Sequence, residues 1–449
     1  MSEPIVIVHG WSDKSASFVR LAAFLKRHLG TAPTAIDLAD WVSMEDDISY
    51  ADLAEGMQRA WRAHGLPTGP RTVNVVVHST GALVTREWMT RHFTPATVPI
   101  RRLLMLAPAN FGSPLAHKGR SFLGRAVKGW GNEGFETGRE LLKGLELASP
   151  YTWGLAERDL FVATPWYGAG GILATVLVGN EGYGGLRAIA NETGSDGTVR
   201  ISTANLNALK IEVRLDQAQT PVQPTLQVSN GAIGFGIVAG ANHGSITLGE
   251  VRRPDPANPL ERLILRALTV SDADYAVTGT SFPWQQEIER VTGATATTSA
   301  RMQTAVLRVR DNLGNAVRDY FVEFYRTADT DHAFEQALYT RVLRSVHPYD
   351  DDPSYRALYL DVAELAALRA VRDTAIQQLF ISVMAQPVYL ERTRRSQPVG
   401  YAPVSESRSG GIKLTRKQMD VVFQPHRTAL IDIELTRQLS DEVFRLKSA

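Results

Sequence analysis

Three residues of types that can work together in nucleophilic catalysis lie far apart in this chain, each just beyond a run of apolar residues. Ser79 ends the run Val73-Asn74-Val75-Val76-Val77-His78 and is followed at once by Thr80-Gly81-Ala82-Leu83-Val84-Thr85-Arg86-Glu87-Trp88, which has a helical pattern. A serine at such a strand-to-helix corner is forced out of the path of the backbone. Its hydroxyl then stands above the sheet, beside the positive end of the next helix. Asp196 sits in the polar turn Asn191–Val199, some way beyond the apolar run Ile172–Val178, and His243 sits in Gly240-Ala241-Asn242-His243-Gly244, after Ile233–Ala239. A serine hydroxyl is a weak nucleophile until a base takes its proton, and the base needs an acid to orient it. Ser79 as nucleophile, His243 as base and Asp196 as acid meet that demand.

The oxyanion formed during attack needs hydrogen-bond donors. Pro4-Ile5-Val6-Ile7-Val8 reads as a buried strand that ends in the turn His9-Gly10. Glycine lets this turn bend sharply and approach a ligand. The Trp11 amide then pairs with the Thr80 amide as an oxyanion hole, and such donors supply a large share of rate enhancement. His9, Gly10, His78 and Gly81 support the two turns. Simpler readings compete with each role. Serine favours helix N-caps, aspartate favours turns, and Asp216 and Asp159 are rival acids. His28, His64, His92 and His117 read as helix-surface or loop residues. The histidines form no close metal-ligand pair and no His-Glu-x-x-His helix. The proposed chemistry calls for neither metal nor cofactor.

Four pieces of the chain resemble the α/β-hydrolase superfamily and, within it, bacterial lipases and related lipase-like deacylases. They are Val8-His9-Gly10-Trp11, Val77-His78-Ser79-Thr80-Gly81, Leu106-Ala107-Pro108-Ala109-Asn110-Phe111-Gly112-Ser113-Pro114, and the Asp196 and His243 loops. The order Ser, Asp, His is the chain order of that superfamily. The resemblance covers roughly the first 270 residues and implies acyl-ester hydrolysis through an acyl-serine intermediate. One departure stands out. The family motif is Gly-x-Ser-x-Gly, and Val77 replaces its first glycine.

These residues need a scaffold that brings strand ends to one rim. Strands at Ile5–Val8, Thr34–Leu38, Val73–Val77 and Arg101–Leu106 alternate with helices at Ser15–Leu29 and Tyr50–His64. That alternation predicts a mostly parallel, doubly wound α/β sheet, closed by a helix at Asn258–Leu268. An insertion at about 115–170 is placed where a cap or lid belongs. Phe122, Leu123, Ala126, Val127 and Trp130 fall on one helical face there, with Lys118, Arg120, Arg125 and Lys128 elsewhere. Such a face either covers an acyl pocket and meets a lipid surface or packs as an ordinary amphipathic helix. Lys210–Val228 reads as a β-hairpin decorating the sheet between acid and base. From Tyr275 the texture changes to alternating strands, at Ala305–Tyr325, Arg356–Val362, Gln378–Val383 and Ala429–Leu435, with a short helix at Ala363–Arg372. The expected organisation is therefore a catalytic domain over 1–272 and a β-sandwich-like accessory domain over 275–449.

Composition agrees. Of 449 residues, 44% are hydrophobic and 21% charged, enough for large cores without disorder. The net charge of +1 argues against a dedicated nucleic-acid binder. The chain has no cysteine, which excludes a thiol nucleophile and a disulfide framework. The chain enters its first strand at once, so neither a signal peptide nor a spanning segment is expected. The expected location is cytoplasmic, or outside the cell by a signal-peptide-independent route. The functional expectation is a serine carboxylester hydrolase of lipase or phospholipase type. Its partners are a lipid or other acyl ester and, peripherally, a membrane surface. A short-chain esterase, thioesterase or amidase on the same three residues is the alternative, and a catalytically silent binding module is a third reading.

Overall fold

The computed structural model describes residues 3–8, 18–43, 45–116, 138–185, 188, 191–218, 220–249, 259–325, 332–370, 378–385, 388–389, 400–401 and 411–438. Up to residue 301 the strands are β1 (Ile5–Val8), β2 (Thr34–Ile36), β3 (Val73–His78), β4 (Ile100–Leu106), β5 (Leu173–Gly179), β6 (Leu209–Arg214), β7 (Thr225–Val228) and β8 (Ile233–Val238). The helices are α1 (Val19–Leu29), α2 (Tyr50–Ala63), α3 (Gly81–His92), α4 (Arg139–Leu145), α5 (Pro150–Asp159), α6 (Ile201–Ala204), α7 (Pro259–Ala267) and α8 (Pro283–Thr298). Local chemistry marks several ends. Ser49 and Asp52 form a reciprocal capping box at the start of α2. Ser149 caps α5, with Pro150 in its first turn.

Six strands make one parallel sheet in the order β2-β1-β3-β4-β5-β8. Every residue of β1, β3 and β5 is buried, as expected for a sheet covered on both faces. Ile5, Ile7, Val76, Leu104 and Leu177 share a core with Leu21 and Leu25 of α1, Leu263 and Ile264 of α7, and Trp284 and Ile288 of α8. On the opposite face α2 packs against α3 through Trp61 and Trp88, whose ring centroids lie 4.7 Å apart. The chain leaves β1 toward β2 on one side and reaches β3 on the other. The C-terminal ends of β1 and β3 thus flank a switch point, the usual crevice for ligands in open α/β sheets.

An ion pair ties the helix after Ser79 into the interior. The Arg86 and Asp159 side chains are both 0% exposed and meet through Nε–Oδ2 and Nη2–Oδ1 contacts of 2.7 and 2.8 Å. Arg86 Nη1 donates to the Asn110 carbonyl at 3.1 Å, and the Tyr167 hydroxyl donates to Asp159 Oδ2 at 2.7 Å. Burial opposes the charge on Arg86, but the facing carboxylate outweighs it and holds the guanidinium above its ordinary value. Burial and the Asp159 charge push the Tyr167 phenol upward.

Contacts divide the chain into two compact units that interleave in sequence. The first comprises Met1–Ala208, Val228–Arg301 and His426–Thr428. The second comprises Leu209–Gln227, Met302–Pro425 and Ala429–Ala449. Two expectations change. The hairpin of β6 and β7 does not decorate the catalytic sheet, because β6 pairs in parallel with β17 (Thr428–Leu435) in the second unit. Residues 283–298, expected within the accessory domain, form a helix of the first unit. The Thr-Gly-Ala-Thr-Ala-Thr-Thr tail of α8 has weak helix propensity, and packing supplies the stability. Gly236 of β8 leaves room for it, since a Cβ there would stand 2.7 Å from Ile288 Cγ2.

Besides the antiparallel pair β14 (Val388–Tyr389) and β15 (Gly400–Tyr401), the second unit holds a six-stranded and a three-stranded sheet. The first has the order β11 (Leu343–Pro348), β12 (Tyr355–Asp361), β9 (Met302–Asp311), β17, β6, β7. The second is antiparallel, in the order β10 (Tyr320–Tyr325), β13 (Gln378–Ala385), β16 (Ile412–Thr415). Both sheets feed one apolar core, with Leu307, Leu360 and Ile433 from one and Phe324, Leu379 and Leu414 from the other. This is the expected sandwich. The strands flanking the Asp311–Asn315 turn enter different sheets.

Two stability changes follow. Asp159→Ala leaves a buried guanidinium uncompensated and should lower unfolding free energy by about 3–5 kcal/mol in urea titrations. Replacing Arg86 and Asp159 together with Met and Leu should cost far less. Gly179→Ala should destabilise by about 1–3 kcal/mol, since a Cβ there would stand 1.9 Å from the Ala241 carbonyl oxygen. Wild-type melting of either single variant would remove its contact from this account.

Candidate active site

Ser79 follows the last residue of β3 with a φ of 53°, in the left-handed region that non-glycine residues rarely adopt. Such a conformation costs on the order of 1–3 kcal/mol and persists only where its surroundings hold it. Here the Ser79 amide donates to the Leu106 carbonyl at 3.2 Å, and the Ser79 carbonyl accepts from the Ala82 and Ala109 amides, each at 3.3 Å. The corner forms with valine at position 77. Val77 is buried in register between Val8 of β1 and Met105 of β4. Ser79 does not cap α3. The cap position is Thr80, which makes no side-chain capping bond.

Asp196 lies in the loop between β5 and α6, with its side chain 0% exposed. Its Oδ1 accepts from the amides of Thr198 and Val199, at 2.9 and 2.7 Å. Its Oδ2 lies 2.9 Å from His243 Nδ1. The loop is braced both from a neighbouring segment and from within. Ser113 Oγ donates to the Thr198 carbonyl at 2.6 Å, and Arg200 pairs with Glu192 through contacts of 2.7 and 2.8 Å. Ser113 belongs to the Phe111-Gly112-Ser113-Pro114 piece, so one segment noted for its sequence supports the loop that carries the acid.

His243 follows β8. The Asn242 side chain accepts from the Gly244 and Ser245 amides at 3.0 and 2.8 Å, which shapes the turn around it. The His243 amide donates to the Asp196 carbonyl at 3.0 Å. On the far side of the ring, Nε2 lies 3.0 Å from Ser79 Oγ. A carboxylate only accepts, so Nδ1 carries the proton of the neutral ring and Nε2 turns a lone pair toward the hydroxyl. His243 is buried, while Ser79 is partly exposed.

The structure thus brings Ser79, His243 and Asp196 into hydrogen-bonded sequence at the C-terminal ends of β3, β8 and β5. Thr80 lies at the N-terminus of α3, beside Ser79, and Gly81 opens that helix. His78 ends β3, buried, with Nε2 2.9 Å from the His243 carbonyl oxygen. His9, Gly10 and Trp11 lie outside the described residues, as do His117 and the Lys118–Trp130 segment. The rival acids are occupied elsewhere. Asp159 pairs with Arg86, and Asp216 accepts from the Thr220 amide at 2.9 Å. Asn242 and Arg86 were not among the residues expected to matter. The Asn-x-Gly-Ser spacing around His243 carries a weak turn signal, whereas the sequence around Arg86 gives no sign of its distant partner.

No protein-family model matches the chain, and no curated protein matches it in sequence. Solved structures do. Phospholipase PlaB from Legionella pneumophila, in complex with thio-NAD, superposes with a TM-score of 0.80 at 23% identity, over 99% of this chain and 96% of that one. A second PlaB structure gives 0.79 at 24% identity over the same shares. At this identity the likeness is one of fold: the chain has an α/β-hydrolase-type sheet with a β-rich second unit, and it shares that fold with the Legionella phospholipase along nearly all of its length.

Proposed function

We propose that this chain is a serine carboxylester hydrolase of lipase or phospholipase type, working through an acyl-serine intermediate. One observation carries the reading. The hydroxyl of a partly exposed serine, on a strained strand-to-helix corner, lies 3.0 Å from an imidazole nitrogen whose opposite nitrogen lies 2.9 Å from a buried carboxylate. An N-capping serine or a turn aspartate has no need of that line of contacts.

In this reading Ser79 Oγ attacks the ester carbonyl carbon while His243 Nε2 takes its proton. Asp196 keeps the imidazole in the Nδ1–H tautomer and stabilises the imidazolium that forms. The developing oxyanion is met by the Thr80 amide at the N-terminus of α3 and by the Trp11 amide. The tetrahedral adduct collapses, the C–O bond to the alcohol breaks, and His243 returns the proton to the departing oxygen. Water, deprotonated by the same imidazole, then attacks the acyl-serine and releases the acid. A fold shared with a protein named as a phospholipase supports a lipid ester as the substrate class.

Ser79→Ala should fold normally and lose ester turnover by roughly four orders of magnitude or more. A fluorophosphonate should label the wild type and not the variant. Unchanged turnover in Ser79→Ala would remove this serine from the mechanism. Asp196→Asn should lower kcat by about 10⁴-fold, because an amide favours the wrong imidazole tautomer. Assays across phospholipids, triglycerides and short synthetic esters test the substrate class. Hydrolysis confined to short acyl groups would exclude the lipase form and leave a short-chain esterase.

A further inference from the structure

Resting on the serine hydrolase reading, we infer that His78 is a positioning residue for the base, acting through the main chain of His243. The loop that carries His243 satisfies most of its own polar groups. The Asn242 carbonyl accepts from the Ile246 amide at 3.2 Å, and the Ser245 carbonyl accepts from the Leu248 amide at 3.0 Å. The Gly244 carbonyl accepts from Thr247 Oγ1 at 2.8 Å, and the Asn242 amide donates to Ser245 Oγ at 2.9 Å. Residue 243 is different. Its amide goes to the acid loop, at the Asp196 carbonyl. Its carbonyl goes to the nucleophile strand, where among the described residues His78 Nε2 reaches it at 2.9 Å.

The base is therefore held at four points. Two are its ring nitrogens, facing Asp196 and Ser79, and two are its own backbone groups, facing Asp196 and His78. His78 is covalently joined to Ser79. The bond from its ring thus sets the base loop directly against the residue before the nucleophile. A carbonyl oxygen can only accept, so His78 carries its proton on Nε2. The ring is fixed in place. It lies 4.6 Å from the His243 ring, tilted by 46°, and 5.7 Å from Phe18 in an edge-on contact. His78 and His243 are 4% and 1% exposed, so water does not readily replace a lost donor at this carbonyl. An unsatisfied buried carbonyl drives the loop to a new arrangement, and a shift of about 1 Å at a catalytic base costs on the order of 100-fold in rate.

Two substitutions separate the donor from the ring. His78→Phe keeps an aromatic ring beside Phe18 and removes the donor. His78→Gln removes the ring and restores an N–H that can reach the carbonyl. Expected for His78→Phe is a fall in kcat of roughly 10- to 100-fold, with KM within about twofold of wild type and a parallel slowing of fluorophosphonate labelling at Ser79. His78→Gln should recover most of the rate. The role is overturned if His78→Phe labels at the wild-type rate, if the loss lies in KM, or if His78→Gln is as impaired as His78→Phe. Imidazole ¹⁵N shifts of the wild-type protein give an independent readout that needs no folded variant. A proton on Nε2 of His78 supports the assignment, and a bare Nε2 overturns it. Failure of the wild type to label at Ser79 would sink the hydrolase reading itself, a result distinct from wild-type labelling that His78→Phe leaves unchanged.

Discussion

The helix that begins just after Ser79 carries a guanidinium with no access to water. Removing Arg86 from solvent carries a desolvation penalty of several kcal/mol, so its partners must be placed with little tolerance. Asp159 from the end of α5 supplies both carboxylate oxygens, Asn110 supplies its carbonyl from the turn after β4, and Tyr167 satisfies the carboxylate from the approach to β5. Asn110 in turn donates to the Ala204 carbonyl at 2.8 Å, at the end of α6. One charged side chain thus sets the spacing of five segments around the corner. A well-packed apolar group would hold them with comparable strength but with less directional demand. The pair's bonds run from α3 to three of its neighbours, the end of α5, the turn after β4 and the approach to β5.

That arrangement matters because Ser79 occupies backbone space that its own chemistry disfavours. The left-handed corner is maintained by bonds to the ends of β4 and the start of α3. The acid and base loops are braced in the same manner, by groups that take no part in proton transfer. Ser113 and Arg200 hold the loop of Asp196, while Asn242 and His78 hold that of His243. Ser113 and His78 reach in from neighbouring strand ends, whereas Arg200 and Asn242 act within the loops themselves. The parallel order β3-β4-β5-β8 is what puts those ends side by side.

The second unit shows a different dependence on long-range pairing. Its central strand β17 lies parallel to β6, with Ala429 opposite Leu209 and Ile433 opposite Val213, more than two hundred residues apart in the chain. The chain therefore leaves the first unit after α6, contributes two strands to a sheet whose remainder follows after residue 301, and returns for β8. Of a strand pair read locally as a surface hairpin, β6 becomes part of a core while β7 stays exposed at the sheet edge. Leu209, Ile211 and Val213 alternate with Lys210 and Glu212. This pattern shows one buried face but does not identify the sheet that covers it.

Much of the candidate site was legible in residue type and local order. The β-branched run ending at Ser79, the glycine-rich turn around His243 and the Gly-Ser-Asp-Gly-Thr turn at Asp196 each carry short-range signals, because turns and buried strands are governed by neighbouring residues. The parallel sheet also followed from strands alternating with helices. Other features had no such signal. Arg86 looks like any charged residue on a helix, and only the fold reveals that 73 positions later Asp159 meets it in the interior. The Thr292–Thr298 tail of α8 has weak helix propensity, and the helix packs on the glycine face of β8. The sequence by itself determined which residues could form strands, corners and reactive side chains, since those depend on φ/ψ preference and polarity within a few positions. Only the tertiary structure decided which of these met, because burial, ion pairing and strand register couple residues that the chain keeps hundreds of positions apart.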